Sequence, residues 1–356
     1  MSPSVARTLR VGIVIAAIVI FPAISPSFLV FDFIYVAAYA IAILGLIILT
    51  GMNGQISLGH GAFMALGGYV AAVLAHNLGW PYWVGVPLAA IASGAFGLII
   101  GAIALRLAGV YLALATFALA VATPSFLKHY KSITGGFGGL SLDAVKAPAG
   151  VPLDGQQWLY YVVWAIAGAA FLASALLVRG KFGRALRALR DNPIAAISFG
   201  VNPYYYKTLA FGWSAVLAGI AGAFFAITTA YVSPDTFSFA LSITLLIGAV
   251  LGGMATFWGA LVGAIVIEFL PLVAQQVNAA APSVVYGVSL ILMMLFVPDG
   301  IVGGVQRLTR RLVRGAPSAP RPEPSVPAAA SMVVDQPTRE QRNSPPAGGT
   351  RDPSLP

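Results

Sequence analysis

Long apolar runs separated by short polar stretches fill most of the chain from Val11 to Pro298. Between Val11 and Thr50 the only charged side chain is Asp32, and between Pro81 and Leu127 the only one is Arg106. An apolar helix needs roughly 20 residues to cross about 30 Å of hydrocarbon, so each of these stretches holds two crossings. Carried along the chain, the pattern predicts ten crossings, over residues 11–29, 33–50, 59–76, 83–105, 107–127, 158–178, 208–230, 238–254, 256–277 and 283–298. The expected fold class is all-α, a polytopic transmembrane helical bundle occupying residues 1–314. Ten crossings allow an inverted repeat of five plus five. Its trace in the sequence is slight: "GQISLGHGAF" and "GGMATFWGAL" share glycine spacing but follow crossings two and eight, which inversion would not pair.

Charge between the runs sets an orientation. With the N-terminus inside, the inner segments carry Arg7, Arg10, Arg106, Arg179, Lys181, Arg184, Arg187, Arg190, Lys207, Arg307, Arg310, Arg311 and Arg314. The outer segments carry only Lys128, Lys131 and Lys146, all in the loop 128–157. Lys and Arg are retained on the cytoplasmic side, so both termini are expected there. Trp80, Tyr82, Trp83, Trp158, Tyr160, Tyr161 and Tyr231 fall at the outer boundary and Tyr204, Tyr205 and Tyr206 at the inner one, where they are expected as lipid-facing anchors.

Composition narrows the chemistry. The chain is 59% hydrophobic and 9% charged with a net charge of +9, and its basic residues lie between apolar runs, which points to membrane orientation and not to nucleic acid. There is no cysteine, so disulfides, thiolate metal sites and cysteine nucleophiles are excluded. Arg7 and Arg10 before an apolar run resemble the start of a signal peptide, but Pro22 and Pro26 interrupt the run and no small-x-small site follows, so the segment is expected to remain as the first crossing. Residues 315–356 turn to Pro, Ala, Ser and Gly and are expected to form a disordered cytoplasmic tail.

The loop 179–207 concentrates charge in "RGKFGRALRALRDNP", which holds Arg179, Lys181, Arg184, Arg187 and Arg190. Phe182, Leu186 and Leu189 recur at helical spacing with Arg184, Arg187 and Arg190 on the other side, which predicts an amphipathic helix of about two turns. Asp191 is the only acid in the loop. Asn192 then reads as an N-cap and Pro193 as the first position of a second short helix through Phe199, which Gly200 can end in a left-handed turn. The expected product is a sharp elbow at the inner membrane face, apolar toward the bundle and basic and small outside. A positive-inside anchor would account for the charge alone. Two capped helices are more order than an anchor needs, and they suit a projection that a partner pushes against.

Two further places invite chemistry. "TGMNGQISLGHGAF" sets Thr50, Asn53, Gln55, Ser57 and His60 among four glycines between two crossings. Non-helical backbone at membrane depth survives only when buried in protein or lining a wet cavity, so the segment is either a broken helix on a solute path or a plain cytoplasmic turn. His60 is correspondingly a solute contact or a satisfied structural histidine. Glu268 is the only acid in the middle of a crossing, where a charge costs on the order of 3 kcal/mol, so it is neutral, paired or facing water. Pro271 lies on the same face and is expected to free the carbonyl of Ile267. Glycines 248, 252, 253, 259 and 263 read as close helix packing.

No G-x-x-x-x-G-K-[ST] string exists to cradle phosphate, and His60, His76 and His129 stand far apart without metal or hydrolytic spacing. The chain is therefore expected to be no enzyme and to hold no cofactor or metal of its own.

"FGRALRALRDNPIAAISFGVNPYYYKTLAFGWSAVLAGIAGAFFA" resembles the cytoplasmic coupling loop and following crossing of permease subunits of branched-chain amino acid ABC transporters. "GQISLGHGAFMALGGYVAA", "LRLAGVYLALATFALA" with "TGGFGGLSL", and "VLGGMATFWGALVGA" through "LMMLFVPDGIVGG" agree with it, over nearly the whole chain to about Arg314. The extra first crossing and long outer loop are similar to the longer of the two permease types. One departure is the absence of the glutamate that such loops often carry within or just after the "DN-x-IAA" segment. The resemblance implies a multi-pass protein of the bacterial inner membrane. It implies a second permease subunit, two cytoplasmic ATPase subunits that bind the ATP and Mg, and a periplasmic solute-binding protein. It implies branched-chain amino acids as solute, with urea, short amides and aromatic or other organic acids carried by related permeases. An ion-coupled carrier using Glu268 and a membrane scaffold without transport remain as alternatives from other classes.

Overall fold

The computed structural model describes residues 18–313 other than 105, 106, 108, 149, 276–284, 286, 289, 290, 292–294 and 296–299. Its helices are α1 (18–24), α2 (Ser27–Leu46, prolonged by a π-helical turn, Ile47–Met52), α3 (His60–Leu78), α4 (Tyr82–Ala104) and α5 (Val110–His129). They continue as α6 (Lys131–Thr134), α7 (Gly155–Arg179), α8 (Lys181–Asp191), α9 (Pro193–Ser198), α10 (Pro203–Thr229), α11 (Phe239–Gly252), α12 (Phe257–Gln275) and α13 (Gly300–Val313). Strands β1 (Leu140–Ser141) and β2 (Tyr231–Val232) pair antiparallel, Leu140 opposite Val232. The chain divides after Arg310, and of the remainder only 311–313, the end of α13, is described.

The protein is all-α apart from this ribbon. Among the described residues seven helices are long and apolar enough to cross a membrane. Five predicted crossings coincide with α3, α4, α5, α7 and α12 to within a few residues. The first two need correction, because the break falls at Ser25 and Pro26 and not near Asp32. Pro26 has no N–H to offer a preceding turn, while its carbonyl accepts from Leu29 and Val30 and so starts α2. The eighth crossing is shorter than expected, since α11 has 14 residues and stops at Gly253, whose φ of 110° no helix continues. Of the tenth, 283–298, only 285, 287, 288, 291 and 295 are described, each helical, and the tail, 315–356, lies outside the described residues.

α10 runs through the middle of the bundle against α2, α3 and α4. Lipid is as apolar as leucine, so these helices are held by close contact and not by the exclusion of water. A Cβ on Gly222 would stand 1.9 Å from the Met64 carbonyl oxygen, and one on Gly67 2.1 Å from that of Gly219. α11 and α12 meet in the same way, with a Cβ on Gly252 1.9 Å from the Gly259 oxygen and one on Gly263 2.1 Å from that of Gly248. Of the glycines expected to pack helices, 248, 252, 259 and 263 do so, while Gly253 ends α11 instead.

At one end of α10 the ribbon is braced by Lys128 Nζ, 2.6 Å from Asp235 Oδ1 and 5.2 Å above the Phe137 ring, and by the Tyr231 hydroxyl, which donates to Gly138 O at 2.9 Å. At the other end lie α8 and α9. With 27 residues between them, the two ends are roughly 40 Å apart. Near the ribbon end, Trp80 and Trp83 are exposed as anchors should be, but Tyr160 is not. It is buried, and its hydroxyl donates to Ile18 O at 3.1 Å, fastening α1 to α7.

Candidate functional site

α8 and α9 form the predicted elbow. α8 has 11 residues, three turns and not two, and buries Gly183, Ala185, Leu186 and Leu189. Phe182 is half-buried beside the Tyr206 ring, at 6.0 Å. Arg184, Arg187 and Asp191 are exposed. The extended Asn192 accepts from the Ala195 amide at 3.0 Å, Pro193 opens α9, and Gly200 follows with φ of 81°. A second Asn-Pro pair repeats the device: Asn202 accepts from the amides of Tyr204 and Tyr205, at 3.0 and 3.4 Å, and Pro203 opens α10. α10 therefore begins five residues before the expected 208, and the pair was the signal for it.

Two features differ from expectation. The outer side of α9 is apolar, not basic and small: Ile194 is 80% and Phe199 87% exposed, Ile197 is exposed with them, and only Ala196 is buried. Ile194 and Ile197, three residues apart, share one face of the helix while Ala196 takes the buried one, and Phe199 follows the helix end. Arg190 is exposed like Arg184 and Arg187, but its guanidinium also donates to the carbonyl of Gly51.

The segment after α2 alternates between buried polar residues and exposed positions, the latter at Gly54 and Ile56. Asn53, Gln55, Ser57 and His60 are all buried. The Thr50 hydroxyl donates to Gln55 O at 3.0 Å, and the Asn53 amide donates to the Gln55 side chain. Beyond them the Leu58 amide donates to Thr116 Oγ1 of α5 at 3.0 Å, and the Gly61 amide to Ser242 Oγ of α11 at 2.9 Å. Ser57 Oγ accepts from the Gly59 amide. His60 Nε2 lies 2.8 Å from Ser214 Oγ, which itself donates to Gly45 O at 2.8 Å. That bond uses the only proton of the serine, so Nε2 carries a hydrogen and donates, leaving Nδ1 as an acceptor. Among the described residues Nδ1 and Asn53 Oδ1 are without a hydrogen-bond partner. Ser214 stands eleven residues into α10, roughly 16 Å from its start, so the His60 end of the segment reaches into the bundle. Replacing Ser214 with Ala would strand the Nε2 hydrogen and the Gly45 carbonyl. The expected loss is about 1–3 kcal/mol, read as a lower unfolding temperature in detergent; an unchanged temperature would show that the tie carries no stability.

Glu268 is elsewhere. It is half-buried on α12 and interacts electrostatically with Asp32 and Tyr35, in the first turns of α2. Tyr35 and Thr50 are separated by most of α2, roughly 20 Å, so Glu268 shares no site with Asn53, Gln55, Ser57 and His60. Pro271 lies within α12 without ending it.

Seven membrane-capable helices among the described residues, with a polar interruption between two of them and a capped elbow at one end, define a multi-pass membrane protein. Residues 29–297 match the family model described as branched-chain amino acid transport system / permease component. The chain is 31% identical over 287 residues to the high-affinity branched-chain amino acid transport system permease protein LivM of Salmonella typhimurium, covering 74% of this chain and 67% of LivM. It is 30% identical to LivM of Escherichia coli over the same shares, and 25% identical to LivH of Escherichia coli, covering 75% of this chain and 92% of LivH. No solved structure matches the chain. The chain belongs to the family of permease components of branched-chain amino acid transport systems.

Proposed function

We propose that the chain is one permease half of an ATP-driven importer of branched-chain amino acids in a bacterial inner membrane. Family membership carries the reading, and its similarity to both LivM and LivH, two permease proteins of Escherichia coli, supports a second permease as partner. Two cytoplasmic ATPase subunits supply ATP hydrolysis and hold the Mg, and a periplasmic binding protein delivers the solute. Both termini are cytoplasmic, and ten crossings, five plus five, complete the bundle.

The ATPase takes hold at the elbow. Ile194, Ile197 and Phe199 are apolar side chains that water disfavours and that a protein groove would bury, and Arg184 and Arg187 beside them supply charge at the rim. Asn192 and Gly200 hold the elbow's shape, so a push on α9 moves α7 and α10 and is not absorbed by a loop. The solute passes along the interrupted segment, where Asn53, Gln55, Ser57 and His60 bring polar groups to membrane depth.

Mild-detergent purification followed by identification of the retained chains tests the reading. A second permease and an ATPase with a phosphate-binding loop are expected; neither being present would overturn it. Glu268→Gln separates it from an ion-coupled carrier. Uptake driven by ATP is expected to change by no more than about twofold, within ~0.4 kcal/mol, whereas a carrier using that carboxylate would lose uptake.

A further inference from the structure

One side chain joins the elbow to the interruption between α2 and α3. The last carbonyls of a helix lack donors within it, and α2 ends in the π turn Ile47–Met52. The Gly51 carbonyl there accepts from Nη1 of Arg190. A guanidinium is favoured at a helix C-terminus by the partial negative charge of the carbonyls, and a charged donor binds more strongly than a neutral one. The aliphatic stem of Arg190 lies across Gly54, where a Cβ would stand 3.4 Å from its Cγ and where φ is +74°. On another side Gly51 meets the turn between α11 and α12, since a Cβ on it would stand 2.3 Å from Met254 O. Gly51 is thus held between Arg190 and that turn.

We propose that Arg190 is the positioning residue through which displacement of the elbow reaches the segment 51–60. The proposal rests on the transport reading above. Among the described residues no other hydrogen bond joins α8 to residues 47–60. The far end of the segment is bonded to Thr116 of α5 and Ser214 of α10, and Gly61, the next residue, to Ser242 of α11. A shift of α8 pulls Gly51 through the guanidinium, and the segment passes it to three helices. Arg187, one turn earlier on α8, points outward and has no such path.

The chain has no cysteine, so Ile56→Cys, at a half-exposed position in the segment, gives a single reporter thiol. Its labelling rate is measured with and without ATP in vesicles holding the whole transporter, together with solute moved per ATP hydrolysed. With Arg190 present, ATP is expected to change the labelling rate. In Arg190→Ala that response is lost and solute per ATP falls roughly fivefold or more, while ATP hydrolysis continues. Arg190→Lys, which keeps stem and charge, recovers part of both. If Arg190→Ala does not insert, Arg190→Lys against Arg190→Gln carries the same comparison, with the response expected in Lys and lost in Gln. Equal labelling response and equal solute per ATP across these variants would overturn the proposal and leave the transport reading standing. Wild-type vesicles that move no amino acid on ATP would overturn both.

Discussion

Arg187→Glu is expected to cut ATP-driven uptake sharply while the chain still inserts. The side chain is exposed on α8 and among the described residues makes no hydrogen bond or ion pair that its reversal would break, so folding has little stake in it. An ATPase surface that accepts a cation beside a buried Ile194–Phe199 patch meets a like charge instead. Juxtaposed like charges at an interface cost several kcal/mol, and even about 1.4 kcal/mol is tenfold in the docking equilibrium. Uptake into vesicles is expected to fall roughly tenfold or more, with chain abundance in the membrane unchanged. Wild-type uptake in this variant would remove the elbow as the point of attachment.

Gly222→Leu has the opposite signature: the chain fails to accumulate at all. A Cβ at residue 222 would lie 1.9 Å from the Met64 carbonyl oxygen, and that oxygen belongs to backbone that cannot swing aside. α10 and α3 must separate, and α10 carries the contacts of α2 and α4 as well. Overpacking costs typically 1–3 kcal/mol even where side chains can adjust, and here backbone must move. Membrane abundance and thermal stability in detergent report the loss. Gly168→Leu on α7, where a Cβ meets nothing within 4 Å, serves as the matched control and is expected to accumulate normally.

The sequence made some features plain and concealed others for a physical reason. Crossings are legible because length and apolarity alone decide them, and the elbow is legible because Asn192, Pro193 and Gly200 act on their own backbone. Which side of a crossing meets protein is not legible in this way, since lipid and protein interior are both apolar. The most apolar 18-residue stretches of α5 and α10 have equal mean hydropathy, yet 22% of one and 78% of the other is buried. The same ambiguity hid Tyr160, which reads as an interfacial anchor and is a buried fastening. The outward apolar face of α9 went unseen because an amphipathic reading assumes that apolar means inward. The link from Arg190 to Gly51 joins residues 139 apart in the chain, and no local pattern carries such a pairing.

The account stands on the elbow lying in the cytoplasm and being gripped there. Arg184→Cys, the only thiol in the chain, allows both to be read at once with a membrane-impermeant maleimide. In intact cells the thiol should stay unlabelled, in inverted vesicles stripped of the ATPase it should label, and adding the ATPase back should protect it. Labelling of intact cells would contradict the account.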